Sequence, residues 1–440
     1  MTTKNKSFME NFQEKMETSI VPVAMKIANQ RHLSAIRDGM AILVGITIIG
    51  GFAMLIALPP VDATRLVGTN IFFKFLLSWK NWATENYATL IIPYNLTIGC
   101  ISLYVVSGVS YRLATSYNMN GLSNMISAIL IYLIIAATPV TIDGAGYLPS
   151  GELGAAAMFS AIIVAIVVIE INRIFIEKNI CIKLPDAVPP NVAAPFKVLL
   201  PLAFNIILFM ALNIICTNTT GEGLTKLVFT IFQPLLSATG SLPSILLINI
   251  LMTTFWFFGI HGSNMVGVVV TPITTLNLAL NAEAYAAGQP IPEIFAGAIN
   301  SIFGNWLTYT AILITMLLYC KASQIKSIAK ISTIPTIFNI NEPMIFGLPT
   351  VLNIFTFIPL LICSIINVSS AYLLMHFGVI GKFFVSLPFT TPGPIAAFLA
   401  TMDWKAAVLW FALLGVDIVV CLPFMKAYDK QLLKLEETDK

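Results

Sequence analysis

Apolar residues in this chain gather into long runs, and the polar ones fall mostly in the breaks between them. Runs at 40–58, 88–111, 121–140, 155–171, 196–216, 242–258, 306–320, 348–374 and 405–424 approach or exceed the roughly 20 residues that a helix needs to cross a bilayer. The pattern predicts an all-α polytopic membrane protein with about ten transmembrane helices plus two re-entrant hairpins. Basic residues mark alternate ends of the runs. Lys4, Lys6, Lys15, Lys26, Arg31 and Arg37 precede the first run, Arg112 ends the second, and Arg173, Lys178 and Lys183 follow the fourth. Lys321, Lys326 and Lys330 follow the seventh, and 426–440 forms a charged tail. The excess of cationic residues on cytoplasmic loops then places both termini inside the cell. The loop 141–152 has Asp143 and Glu152 but no Lys or Arg, which suits the outside. The segment 61–85 mixes charges with aromatics and reads as external or interfacial.

Residues 1–38 lack the apolar core and small-residue cleavage site of a signal peptide. Phe8, Phe12, Met16 and Ile20 recur at helical spacing there, which predicts an amphipathic helix on the cytoplasmic membrane surface. Three prolines in 185–190 cannot sit in a helix interior, so 184–195 reads as a cytoplasmic connection between two halves. The expected division is an N-terminal membrane domain at 39–183 and a C-terminal substrate-binding domain at 196–425.

Interruptions of the apolar pattern point to where a transporter holds its cargo. From 227 to 320 the only charges are Glu283 and Glu293, and the stretch is broken at 259–264, at Thr271-Pro272 and at 289–292. A re-entrant hairpin is predicted here. A second break, 339–347, reads Asn-Ile-Asn-Glu-Pro-Met-Ile-Phe-Gly and holds Glu342, the only carboxylate between Lys330 and Lys382. Pro343 biases Glu342 away from helical geometry, so the segment reads as non-helical backbone carrying an acid and two amides. Such backbone is tolerated in a membrane only inside protein or beside a water-filled cavity. A third break, 387–394, carries Pro388, Phe389, Thr390, Thr391 and Pro392 within an apolar run.

Composition agrees with the pattern: 57% of residues are hydrophobic and 10% charged. A net charge of +3 suggests no nucleic-acid partner. Six cysteines, at 100, 181, 216, 320, 363 and 421, form no close pair and read as apolar filler. Three histidines argue against a multi-histidine metal site, and no cofactor is implied. His32 and His376 read as ordinary.

Two groups suit chemistry on an uncharged polyol. His261 sits between aromatics and glycines at the first break, and a lone histidine of that kind is as often a packing residue as a ligand. A desolvated Glu342 accepts a hydroxyl strongly, and an imidazole can orient the same hydroxyl. Asn339, Asn341, Ser263, Asn264, Thr390 and Thr391 supply uncharged donors and acceptors, although each also suits a helix cap. Phe255, Trp256, Phe257 and Phe389 can stack on a pyranose ring or pack as core.

The run 339–347, the aromatic-Gly-Ile-His-Gly motif at 258–262, the entry segment 31–40, the proline loop and the 387–394 break together resemble the sugar-transporting membrane component (enzyme IIC) of the bacterial phosphotransferase system, most of all its lactose/cellobiose/diacetylchitobiose group. The family more often has Trp after the first proline of the last break, where this chain has Phe389. The resemblance implies a homodimer in the bacterial cell membrane, joined through its N-terminal spans. It implies a β-linked disaccharide whose C6 hydroxyl meets Glu342 and His261, and a phosphocysteine donor on a separate cytosolic IIB subunit supplied through IIA in a phosphoenolpyruvate-dependent system. Trp256, Gly259, Ser263, Asn264, Asn339, Asn341, Phe389, Thr390 and Thr391 become the substrate-contact candidates. Two other readings stay open on the residues alone: a proton-coupled sugar transporter using Glu342, His261 or Asp417, and a passive channel.

Overall fold

The computed structural model describes residues 29–59, 71–180, 190–348 and 353–438, together with the isolated positions 22, 25, 26 and 182. The expected amphipathic helix at 8–20 and most of the proline-rich connection lie outside the described residues. Among the described residues eight helices are long and apolar enough to cross a membrane, or up to nine if a bent pair counts as one.

The first half opens with α1 (Arg31–Ala41) and α2 (Leu43–Ala57), which together make one apolar stretch of 27 residues. Helix α3 (Ile71–Glu85) and the short α4 (Tyr87–Leu90) and α5 (Ile92–Leu96) lead to α6 (Ile101–Ser116). The expected span at 88–111 is thus broken until residue 98, with Pro93 near the start of α5. Helix α7 (Gly121–Ala136) has 16 residues, short of a full crossing. The loop after it folds as a two-stranded hairpin, β1 (Val140–Ile142) against β2 (Ala145–Tyr147). Asp143 and Gly144 both take positive φ in its two-residue turn, as the hairpin twist requires. Then come α8 (Met158–Glu177), entered through the 3₁₀ turn Ala155–Ala157, and α9 (Pro190–Thr220). Residues 190–195, expected in the connection, already belong to α9, because Pro190 at the first helical position gives up no bond.

Small residues and amides hold this half together, as expected where lipid removes any hydrophobic drive between helices. A Cβ on Gly39 of α1 would lie 2.6 Å from the Val109 nitrogen of α6, and one on Gly108 would lie 2.5 Å from the Gly39 carbonyl oxygen. Asn124 of α7, Asn172 of α8 and Asn205 of α9 are buried and linked amide to amide at 2.8 and 3.0 Å. Glu170 of α8 takes hydrogen bonds from His32 Nε2 (2.8 Å) and the Tyr117 hydroxyl, so His32 ties α1 to α8.

The second half holds α10 (Leu224–Thr239), α11 (Leu242–Phe257), α12 (Gly262–Ala286), α13 (Trp306–Tyr319), α14 (Ser323–Ile337), α15 (Glu342–Gly347), α16 (Ile354–His376), α17 (Gly393–Thr401) and α18 (Trp404–Thr438). Helices α10 and α11 meet at a 71° bend, the geometry of a broken span or a re-entrant loop. Within 227–320, where a hairpin is expected, that bend is the re-entrant candidate, while α12 runs unbroken for 25 residues through Pro272, long enough to be a span itself. Pro272 is buried, and in a membrane neighbouring helices and Ser/Thr groups re-satisfy the backbone that a proline frees. The charged tail is not a separate segment, since α18 carries the chain helically to Thr438. Asp429 takes the Lys321 and Ala322 N–H groups at 2.8 Å each, and Glu436 takes that of Ser323 at 2.8 Å, so α18 caps the start of α14. In the core, buried Asp417 of α18 receives Thr308 of α13 (2.9 Å) and Asn367 of α16 (2.8 Å).

The halves meet where α12 packs along α1 and α10 against α8. One hydrophobic core runs through both.

Candidate functional site

The first broken stretch becomes the turn between α11 and α12. Gly259 takes φ +74°, which lets the Ile260 N–H return to the Phe255 carbonyl at 3.0 Å and closes α11. Gly259 therefore serves the turn itself. His261 then caps α12, its Nδ1 accepting the Asn264 N–H at 3.2 Å. With Nδ1 engaged as an acceptor, a neutral imidazole carries its hydrogen on Nε2 and presents it as a donor. The imidazole is exposed, and the Trp256 ring lies against it at 4.4 Å between centroids. Gly262 permits the close packing, since a Cβ there would lie 2.0 Å from the Met252 carbonyl oxygen. Ser263 and Asn264 stand exposed in the first turn of α12.

The second broken stretch departs from expectation in where it breaks. The left-handed residue is Asn339, at φ +60°, and Glu342 opens the six-residue helix α15. Pro343 falls in the first turn, where its missing N–H has no intrahelical partner to lose, so it starts a helix here. The Asn339 side chain donates to the carbonyls of Phe389 (3.0 Å) and Thr391, fastening this stretch to the third break. Asn341 donates to the Asn339 carbonyl at 3.3 Å, and its Oδ1 is buried with no partner among the described residues. Glu342 is exposed, not enclosed as the sequence suggested, and no hydrogen bond or ion pair joins it to His261 among the described residues. Trp256 packs on the same apolar cluster that contains Tyr309, Met344 and Ile345, so His261 and Glu342 flank one packing unit.

In the third break the Thr391 hydroxyl donates to the Pro388 carbonyl at 2.8 Å, closing a turn that holds Phe389 63% exposed. Thr390 beside it is half-buried. Phe389 looks into a cavity of about 430 Å³ on the seam between the halves. That volume falls in the ordinary range for a small-molecule site. Leu43, Val44 and Thr47 form one wall, and Thr271, Thr274, Ser301, Trp306 and Ser386 form the other. Among the described residues no charged side chain lines it, so the cavity suits a neutral guest. Phe389 is the one sequence candidate on its wall; Glu342 and His261 lie off it. Apart from the break at Thr271-Pro272, the wall residues gave no local sign in the sequence, because hydroxyls are ordinary within spans and their meeting is a tertiary event.

The arrangement offers an exposed imidazole donor, an exposed carboxylate acceptor, free amide oxygen and aromatic faces, on a helical membrane frame with no built charge cage. It can orient and polarise a hydroxyl of an uncharged polar cargo. Fold and site together define a polytopic membrane transporter for a neutral solute. The comparisons with known proteins make this specific. Residues 37–364 match the family model "Phosphotransferase system, EIIC". The chain is 32% identical to the lichenan permease IIC component of Bacillus subtilis, over 98% of this chain and 96% of that one. It is 33% identical to the lactose-specific EIICB component of Streptococcus mutans, over 95% of this chain and 73% of that one. The crystal structure of the transporter ChbC, the IIC component of an N,N'-diacetylchitobiose-specific phosphotransferase system, superposes with a TM-score of 0.84 at 29% identity, covering 96% of this chain and 99% of that one. The chain belongs to the EIIC family of phosphotransferase-system sugar permeases.

Proposed function

We propose that the chain imports a β-linked disaccharide of the cellobiose, lactose or diacetylchitobiose type and presents its C6 hydroxyl for phosphorylation. The observation that carries this reading is that one apolar cluster carries both an imidazole, stacked on Trp256 with its Nδ1 engaged as an acceptor, and an exposed carboxylate two residues before Met344. Lichenan, lactose and N,N'-diacetylchitobiose, the sugars in the relatives' names, all consist of β-linked pyranoses. In this reading His261 Nε2–H orients the hydroxyl and Glu342 takes its proton as the oxygen attacks phosphorus, the phosphorus–sulfur bond of the donor phosphocysteine breaks and the cysteine leaves as its thiolate. Asn341, Ser263, Asn264 and Thr390 meet other hydroxyls, and Trp256 and Phe389 stack on ring faces. Asn339 and Thr391 hold the two broken stretches together.

The phosphoryl donor is a phosphocysteine on a IIB partner, itself charged through IIA; the lactose relative carries a B part in its name. The permease works as a homodimer joined by residues 39–183, with 196–425 carrying the sugar and both termini in the cytoplasm. The test feeds labelled cellobiose or lactose to cells expressing the chain with its partners and identifies the internal product. A sugar phosphate is expected. Accumulated free sugar would overturn the reading in favour of proton-coupled transport.

A further inference from the structure

The two charges that interrupt the apolar region 227–320 play no part in the site above. One of them, Glu283, lies on α12 near its end, and its Oε1 accepts the Ala155 N–H at 2.6 Å. Ala155 opens the 3₁₀ turn that runs into α8, so the carboxylate sits on the positive end of a long helix of the other half. The seat is shaped for it. A Cβ on Gly154 would lie 2.3 Å from Glu283 Oε1, so only glycine leaves room for the carboxylate there. Two residues on, the Tyr285 hydroxyl donates to the Leu58 carbonyl at the end of α2 at 3.0 Å, and its ring stacks on Phe384 at 4.1 Å between centroids. The Glu283 and Tyr285 hydrogen bonds both join the second half to the first, and both come from the last turn of α12.

The other end of the same helix is capped by His261. Helix α12 is unbroken between the two, spanning 25 residues or roughly 37 Å. The imidazole and the Glu283 seat thus lie at opposite ends of one continuous helix. We infer that Glu283 on the Ala155 amide, cradled by Gly154, is the releasable latch between the two halves of the permease, and that the transport movement must break and remake it. Glu283 is a positioning residue. It touches neither sugar nor phosphate, and it acts by holding α12 against the first half.

The experiment places spin labels on the full chain at Thr141, in the exposed hairpin of the first half, and at Gln289, in the exposed turn after α12. The native cysteines are replaced by alanine, and the protein is reconstituted in vesicles. Glu283→Gln keeps the side chain's shape and removes its charge; Gly154→Ala fills the seat. Both variants are expected to raise the population with separated labels about tenfold, the scale of a partly buried charge on a helix terminus. Cellobiose affinity in detergent should stay within roughly twofold of the parent, because the change lies far from the sugar-binding end. Label distances unchanged in both variants would overturn the latch. A loss of sugar affinity matching the loss of uptake would also overturn it, reducing Glu283 to a folding role. Where Glu283→Gln fails to assemble, Gly154→Ala decides alone. The label readout does not involve phosphorylation, so a wild type that delivers free sugar would sink the proposed function and leave the latch standing.

Discussion

Asn339 shows how one residue can serve conformation and contact at once. It holds φ +60°, a region that asparagine tolerates better than alanine, and its amide bonds two carbonyls of the third break. The two roles separate by substitution. Asn339→Gly keeps the backbone and loses the bonds, and should lower stability in detergent by about 1–2 kcal/mol. Asn339→Ala loses both and should lower it by about 1–2 kcal/mol more. Thermal unfolding of the two variants side by side measures the difference, and equal values would remove the conformational share. Glu342 poses a question of chemistry. Exposed and without a partner among the described residues, it is placed to act on a hydroxyl, and its isostere is expected to fold normally. Glu342→Gln should retain sugar binding and reduce phosphorylation by a hundredfold or more, of the order of ~10²–10⁴ for a lost general base. A phosphorylation rate equal to wild type would take Glu342 out of the reaction.

Helices were legible where hydropathy alone decides them, and illegible where proline and partner capping decide them. The spans at α1–α2, α8, α9, α13, α16 and α18 coincide with apolar runs because lipid and core both accept an apolar helix surface. Pro272 and Pro343 were read as breakers, yet one sits inside a continuous helix and the other starts one. What a proline does depends on whether its missing N–H had a partner, and neighbours set that. The site was legible as three broken stretches but not as an assembly. Asn339 meeting Phe389 is a contact across 50 residues, and Thr47 meeting Thr274 across the cavity lies further off still. The tail misled for a similar reason. Its charges looked solvated, but Asp429 and Glu436 occupy N–H groups at and before the start of α14, whose other end leads into Asn339. Removing that cap should loosen the element that carries Glu342. Asp429→Asn replaces a carboxylate that serves two N–H groups, one of them buried, and should lower detergent stability by about 1–3 kcal/mol, read from thermal unfolding. A melting curve unchanged by Asp429→Asn would show that α14 needs no help from α18.

At the scale of the whole molecule the decisive feature is the seam. A first half tied by a close glycine crossing and a buried amide pair faces a second half in which all three broken stretches lie. The neutral cavity lies between them, with Val44 on the first-half wall and Phe389 on the other. Relative motion of two such bodies is the ordinary way for a transporter to expose one site alternately to each side. The cavity then has to pass or hold the sugar during the cycle, and crowding it should act on transport before it acts on folding. Val44 suits the test because its side chain is 51% exposed, so a larger group there meets open space and does not overpack the core. Val44→Trp is expected to cut disaccharide uptake into vesicles at least about tenfold while moving the melting temperature little, since exposed substitutions usually change stability by only about 0.5 kcal/mol. The same variant with a monosaccharide should lose less, because a smaller guest leaves room for the indole. Equal uptake of both sugars by Val44→Trp and the parent would mean that the cargo crosses elsewhere, and that the hollow on the seam is only the gap that lets the two halves slide.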